Sequence, residues 1–157
     1  MLFALGVLPG SSVNKERMSR TLDAVLHVWN RESLWGWDFP AMAMTAVRLG
    51  RARDAVDILL METPKNTYRP NGHNPQLPRT DLPVYLPGNG ALLLAVALMV
   101  GGWEKGEITE TQTGALLSSA GPMPTAARSS ESTHAHAPGF PDDGSWSVQT
   151  EGISSLP

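Results

Sequence analysis

Two tryptophans and a loop rich in amide and hydroxyl side chains are the residues best suited to chemistry in this chain. Trp35 and Trp37 stand in the phrase WGWDFP, directly before an apolar stretch. An aromatic plane suits the apolar C–H face of a pyranose, and amide, hydroxyl and imidazole groups can hydrogen-bond its hydroxyls. The polar candidates are Asn66, Tyr68, Asn71, His73, Asn74 and Asn89. Together these residues predict a sugar-binding site.

Each of these residues also has a purely structural interpretation. The loop amides can close Asx-turns on their own backbone, and either tryptophan can pack into the core. Residues at i and i+2 of an irregular, non-helical segment can project to opposite sides. We therefore expect one of the two indoles at the site and the other in the interior.

Cleavage of a glycosidic bond would need two carboxyl groups that flank the bond. The carboxyl groups near the predicted site belong to Glu32, Asp38, Glu62 and Asp81. Asp38 is a weak candidate for a catalytic carboxylate, and its alternative role is to cap a helix in the favourable field of the helix dipole. The sequence assigns no other catalytic residue.

Composition argues against several other kinds of partner. The net charge is −3 and the sequence pI is about 5.7, without a basic stripe that would neutralise phosphates, so we expect no nucleic acid partner. The chain has no cysteine, which excludes disulfides and thiolate metal sites. His73 lacks neighbours at metal-ligand spacing, and the pair His134 and His136 lies in a low-complexity stretch. We therefore expect neither a metal nor a cofactor.

The apolar start, MLFALGVLPGSS, is similar to a signal peptide but is interpreted as interior sequence. No basic region precedes the apolar run, which is interrupted at Gly6 and ends at Pro9. The apolar run 91–100 is too short to cross a bilayer, so we expect no membrane partner. The cellular compartment stays open.

Four helices are expected to position the candidate residues. Apolar residues at helical spacing predict helices over 15–30, 38–49, 51–61 and 90–100, with Asn14 capping the first and Asn89 the last. The first and third are amphipathic, whereas the second and fourth are apolar on nearly every side and should be enclosed. This alternation is typical of a layered all-α ring whose inner helices run in one direction. The motifs before the two inner helices should then lie at the same mouth.

Three segments follow from this pattern. Residues 1–103 carry the helices, including a proline-rich loop over 64–87 that is long enough to suggest a function. Residues 104–136 are rich in small and polar side chains and are predicted to be disordered. Residues 137–157 regain aromatics and form a short closing segment in a largely irregular tail.

Long phrases of the helical part resemble a known class of protein. WGWDFP-x-MAMTAVRLG, TPKNTYRPNGHN and YLPGNG-x-LLLAVALM resemble the last helical hairpins of six-hairpin, (α/α)6-barrel glycosidase-like proteins, in particular glycoside hydrolase families 65 and 95. The resemblance covers about residues 1–103. It implies a partial (α/α)6 toroid, from a full-length parent that acts on glycosidic bonds. The sugar, the stereochemical outcome and the choice between hydrolysis and phosphorolysis stay open.

The chain departs from this resemblance in ways that affect catalysis. Four helices supply only part of a six-hairpin ring, and the general acid of these families lies upstream of the matching segment. In family 95 the stretch before the last inner helix resembles I-D-G-N, with the Asp as base. Pro87 takes that position here and cannot act as a base. We therefore expect a fragment that is inactive alone, with residues 104–136 either a translated intron or a natural linker.

Two other functions remain consistent with the sequence. One is a small helical interaction module that associates through exposed inner helices, with itself or with a partner. The other is a sugar-binding subunit without catalytic activity.

Overall fold

A computed structural model describes residues 2–103 and 139–147 of the chain. Within these two segments the structure is all-α, as the sequence predicts, and contains no β-strand. Short 3-10 turns span Leu2–Ala4 and Pro64–Asn66. The four longer helices are α1 (Lys15–Val28), α2 (Asp38–Arg48), α3 (Ala52–Leu59) and α4 (Leu86–Gly101).

Helix α1 is amphipathic and begins at the predicted cap. The Asn14 side chain accepts a hydrogen bond of 2.8 Å from the Arg17 backbone N–H, which satisfies a donor that the first turn leaves open. Met18, Leu22 and Val25 form the buried stripe of the helix. These side chains anchor α1 on the core, while its other face stays in water.

Helix α2 is the centre of the described fold. It contacts α1, α3 and α4, and every residue of the range 39–46 is buried. Gly50 follows the helix with φ of 77°, a conformation that costs glycine little. The chain thereby turns back and α3 packs against α2 as an antiparallel neighbour. The Arg51 guanidinium then joins α3 to α1 through an ion pair of 2.7 Å with Asp23.

Helix α4 begins earlier than predicted. It starts at Leu86, and Tyr85 rather than Asn89 occupies the N-cap position, so the predicted capping role of Asn89 is wrong. Pro87 lies in the first turn, where a missing backbone N–H breaks no intrahelical hydrogen bond. Asn89 is therefore already helical, and its side chain is directed to the neighbouring loop.

The prediction that α4 is enclosed on nearly every side is also wrong. Its buried residues are Gly88, Ala95 and Met99, whereas Leu93 is 71% exposed. Helix α2 has neighbours on several sides, but among the described residues α4 is covered by α2 and by a few residues near position 139. The composition of α4 is as apolar as that of a buried helix. It differs from α2 in the described elements that lie beside it.

The two apolar helices run in the same direction, which confirms that prediction. The backbones that precede α2 and begin α4 meet at one buried side chain, Asn74. At the opposite ends, the Arg48 guanidinium lies 5.8 Å from the ring centroid of Trp103. Because both starts adjoin and both ends adjoin, the motifs before α2 and at the start of α4 share one end of the fold. We call this end the mouth.

Residues 139–147 lie against the helices. The Gly139 backbone N–H donates to the Met99 carbonyl at 2.8 Å, and Phe140 packs on the core. The Arg53 side chain of α3 forms an ion pair with Asp143. The predicted insert at 104–136 lies outside the described residues, as do residues 148–157 of the predicted closing segment.

None of the described helices combines the length and the hydropathy that a bilayer crossing requires.

Candidate functional site

A buried carboxamide, that of Asn74, lies at the centre of the mouth. Its Nδ2 group donates to two loop carbonyls, those of Lys65 at 3.0 Å and Thr67 at 2.9 Å. Its Oδ1 atom accepts a hydrogen bond of 2.9 Å from Nε2 of Gln76, which is also fully buried. The Asn74 amide is therefore engaged with the protein on both sides and is shielded from solvent.

Hydrogen bonds extend from this amide to both mouth motifs. Oε1 of Gln76 accepts from the Gly36 backbone N–H at 3.0 Å, which fixes the WGWD segment. The Asn74 carbonyl accepts from the Tyr85 N–H at 2.8 Å, which fixes the chain just before α4. The Asn74 N–H donates to Oδ1 of Asn89 at 3.3 Å. The proline-rich loop thus connects two segments that are about 50 residues apart in sequence.

Two glycines make this close approach possible. A Cβ atom on Gly36 would lie 2.1 Å from Oδ1 of Asn74, and one on Gly88 would lie 2.2 Å from the same oxygen. Neither glycine has a positive φ, so lack of space and not backbone conformation requires glycine here. We call the group formed by Gly36, Asn74, Gln76 and Gly88 the amide junction.

Trp35 forms an aromatic surface above the amide junction. Its ring centroid lies 5.4 Å from that of Tyr85, with the planes tilted by 32°. Two cations approach the same indole, Lys65 Nζ at 5.3 Å and the Arg79 guanidinium at 5.8 Å from the ring centroid. Trp35 is 37% exposed. The junction therefore holds an aromatic ring at the mouth with part of its surface in solvent.

Trp37 lies against a different aromatic ring. Its centroid is 5.3 Å from that of Phe3, and the side chain is 38% exposed. The two tryptophans therefore contact different neighbours, as expected for this irregular segment. The expectation that one of them lies in the interior is wrong, because both rest on the rim and neither enters the core.

The polar loop residues divide into structural and accessible groups. Nδ2 of Asn66 donates to the carbonyls of Leu59 and Met61, which lack partners at the end of α3. Nδ2 of Asn89 donates to the Gly72 carbonyl at 2.6 Å. Together with the buried Asn74, these two amides are committed to the protein and stabilise the loop.

The other three polar candidates retain accessible groups. Asn71 closes an Asx-turn by accepting from the His73 N–H at 3.1 Å, and both side chains are exposed. Tyr68 is half-buried, with its hydroxyl 3.5 Å from the Gly88 carbonyl, and burial raises the pKa of its phenol. It lines an open groove of about 630 Å³ together with Glu62.

The carboxyl groups at the mouth are mostly paired or peripheral. Oδ2 of Asp38 accepts from the Trp35 N–H at 2.7 Å; burial raises the pKa of this carboxyl, and the hydrogen bond opposes the shift. Asp81 forms an exposed ion pair of 2.6 Å with Arg79, whose hydrogen bond lowers the pKa of that carboxyl. Glu32 is exposed beside a second open groove, next to the one that Glu62 lines.

Sequence reasoning missed several residues that build this site. The sequence does not single out Gln76, Lys65 or Tyr85, yet Gln76 belongs to the junction and the other two contact the Trp35 ring. One signal was available, because a glycine occurs in each of the two mouth motifs, WGW and PGN. Glycine at matched places is typical of backbones that approach a third group closely.

Neither a metal-binding cluster nor a similar protein defines this site further. No cluster of three His, Asp or Glu suited to a metal ion occurs among residues 2–103 and 139–147. No protein-family model, curated protein or solved structure matches this chain. In the part of the chain that the structure describes, the fold and the site define an all-α arrangement with an aromatic mouth.

The two glycines at the start of α4 should respond in opposite ways to the same substitution. Gly88→Ala drives a methyl group into Asn74 and is expected to lower the free energy of unfolding by about 1–3 kcal/mol. A methyl group at Gly90 would have no atom within 4 Å. Gly90→Ala should therefore raise the free energy of unfolding by up to about 1 kcal/mol through helix propensity. Urea denaturation measures the free energy of unfolding of both variants. Equal changes in the two would contradict the close approach of Gly88 to Asn74.

The Asn74 amide can be tested by a substitution that preserves its shape. Asn74→Asp replaces the Nδ2 donor with an oxygen facing two carbonyls, so we expect a loss of about 3 kcal/mol or more. The same change at the exposed Asn71 keeps its turn acceptor and should alter stability by less than about 0.5 kcal/mol. Chemical denaturation compares the two variants. Similar losses would show that the buried donor has no special role.

Proposed function

We propose that this chain holds a carbohydrate at its mouth without cleaving it, as the closing helical hairpins of an (α/α)6 glycosidase-like toroid. The observation that carries the proposal is the exposed Trp35 ring, paired with Tyr85 and held by buried hydrogen bonds at the joined starts of α2 and α4. A fixed aromatic plane is the feature that binds the apolar face of a sugar at low entropic cost.

The toroid part of the proposal draws support from helix direction and exposure. Helices α2 and α4 run the same way, as inner helices of such a ring do. Leu93 and Leu94 of α4 are 71% and 44% exposed, as expected of an inner helix whose neighbour belongs to another part of the ring. Isolated exposed leucines need no explanation, but a helix apolar on every side does.

The non-catalytic part of the proposal follows from the mouth carboxylates. Asp38 has one oxygen bonded to the Trp35 N–H, Asp81 is paired with Arg79, and Pro87 stands where the resembled family has its base. Glycoside cleavage needs an acid and a second carboxylate on opposite sides of the bond. The chain should therefore not hydrolyse aryl glycosides above the background rate. Hydrolysis by the native chain that is lost in Glu62→Gln would contradict the non-catalytic part of the proposal.

Sugar binding should be visible in tryptophan fluorescence. Titration with maltose and with a fucosylated lactose is expected to quench the signal, because the ring at the mouth loses water on binding. Trp35→Ala should weaken binding about tenfold and Trp35→Phe about threefold, since phenylalanine keeps a smaller plane. Trp146→Ala serves as the matched control, as Trp146 pairs with Phe140 in the closing segment. Quenching that survives Trp35→Ala would argue against the proposal.

A second candidate function is favoured by the exposed face of α4. Leu93 and Leu94 lie within an apolar helix that is open to solvent on one side, which suits association with another helix. Mass should then increase with concentration in light scattering. Burial of one leucine contributes about 1.5–3 kcal/mol, so Leu93→Lys should weaken association at least tenfold.

The control for this experiment is Leu60→Lys, because Leu60 is 64% exposed just beyond α3, outside the α4 face. It should leave association unchanged. Two results would exclude α4 as the interaction surface. One is a chain that stays monomeric at every concentration, and the other is equal dissociation by both substitutions.

A further inference from the structure

A small cleft between α1 and the start of α2 carries a feature that carbohydrate binding does not use. Its volume is about 140 Å³, and an apolar cavity of about 150 Å³ holds a molecule the size of benzene. Among the described residues that line it, Asp38 and Thr21 carry polar side chains, and the Thr21 hydroxyl already donates to the Arg17 carbonyl. The other described lining residues are apolar or aromatic: Leu2, Phe3, Val25, Trp29 and Ala41.

The Asp38 carboxylate has one oxygen available to a ligand in this cleft. Oδ2 accepts from the Trp35 N–H, whereas Oδ1 accepts no hydrogen bond from the residues that the structure describes. No buried side-chain oxygen among those residues lacks a partner, so Oδ1 is reached by solvent. Burial raises the pKa of the carboxyl, because water solvates the charged form incompletely at this position. A positive group beside Oδ1 would replace that missing solvation.

Two aromatic side chains, Phe3 and Trp29, line the cleft beside the Asp38 carboxylate. The Trp37 ring packs against Phe3 with a centroid distance of 5.3 Å but does not line the cleft. The faces of aromatic rings attract cations, and rings placed around a carboxylate are a common site for alkylated ammonium groups. The dipole of α2 contributes about half a positive charge at this end, so the Asp38 charge still leaves the cleft negative.

We propose that this cleft binds a small organic cation, with its ammonium group beside Oδ1 of Asp38 and its alkyl groups against Val25 and the aromatic rings. Other ligands fit less well. A sugar would direct several hydroxyls at walls without partners, and an anion would face the carboxylate. A neutral apolar molecule would bury Asp38 further without compensating its charge.

Choline and its uncharged isostere, 3,3-dimethylbutan-1-ol, test the proposal because they have the same shape. Choline should bind with millimolar affinity in calorimetry and shift tryptophan fluorescence, and the alcohol should bind at least about fivefold more weakly. Asp38→Asn keeps an oxygen for the Trp35 N–H and removes the charge, so it should abolish this preference. Trp29→Ala, at a side chain that is 47% exposed, should weaken choline binding about fivefold.

Two controls separate this site from general effects. Asp57→Asn removes one charge from the exposed face of α3 and should leave choline binding unchanged. Trp35→Ala alters the proposed sugar surface and should also leave it unchanged. Equal binding of choline and the alcohol, retention of the preference in Asp38→Asn, or no choline binding by the native chain at tens of millimolar would each overturn the proposal.

Discussion

The hydrogen bonds of the Asn74 carboxamide are the constraint on which the mouth depends. Through them the proline-rich loop becomes a bridge: Gln76 holds Gly36 before α2, and the Asn74 backbone holds Tyr85 before α4. These groups are buried. Loss of one hydrogen bond would leave a buried polar group without a partner, which costs more free energy than a hydrogen bond contributes to stability on average. The loop is consequently fixed although it has little regular secondary structure, and it fixes the directions in which both helices begin.

The same constraint decides which side chains remain for a ligand. Asn66, Asn74 and Asn89 belong to the polar set that the sequence suggests for sugar binding, yet all three donate their amide hydrogens to protein carbonyls. What the mouth presents to solvent is mainly aromatic, with the Trp35 ring near two cations. The proposed carbohydrate binding therefore depends on this aromatic rim and not on the amides of the three asparagines.

Helices α2 and α4 show how neighbours decide burial. Both are apolar on nearly every side, and both start at the amide junction. The residues 39–46 of α2 are all buried, because three helices surround them, whereas Leu93 of α4 stays largely exposed. Hydrophobic composition therefore indicates what a helix is suited to contact. Whether the helix is buried depends on which elements lie beside it.

The sequence by itself determined the four helices, the Asn14 cap, the all-α class and the shared end of the two mouth motifs. These follow from local rules, namely helical spacing, capping and the direction of successive hairpins. Only the tertiary structure decided that Asn74 is a junction and that α4 begins at Leu86. It also decided that the Asp38 carboxylate faces an apolar cleft. The physical reason is that these roles rest on contacts between residues distant in the chain, such as the approach of Gly36 and Gly88 to one oxygen, which no local pattern encodes.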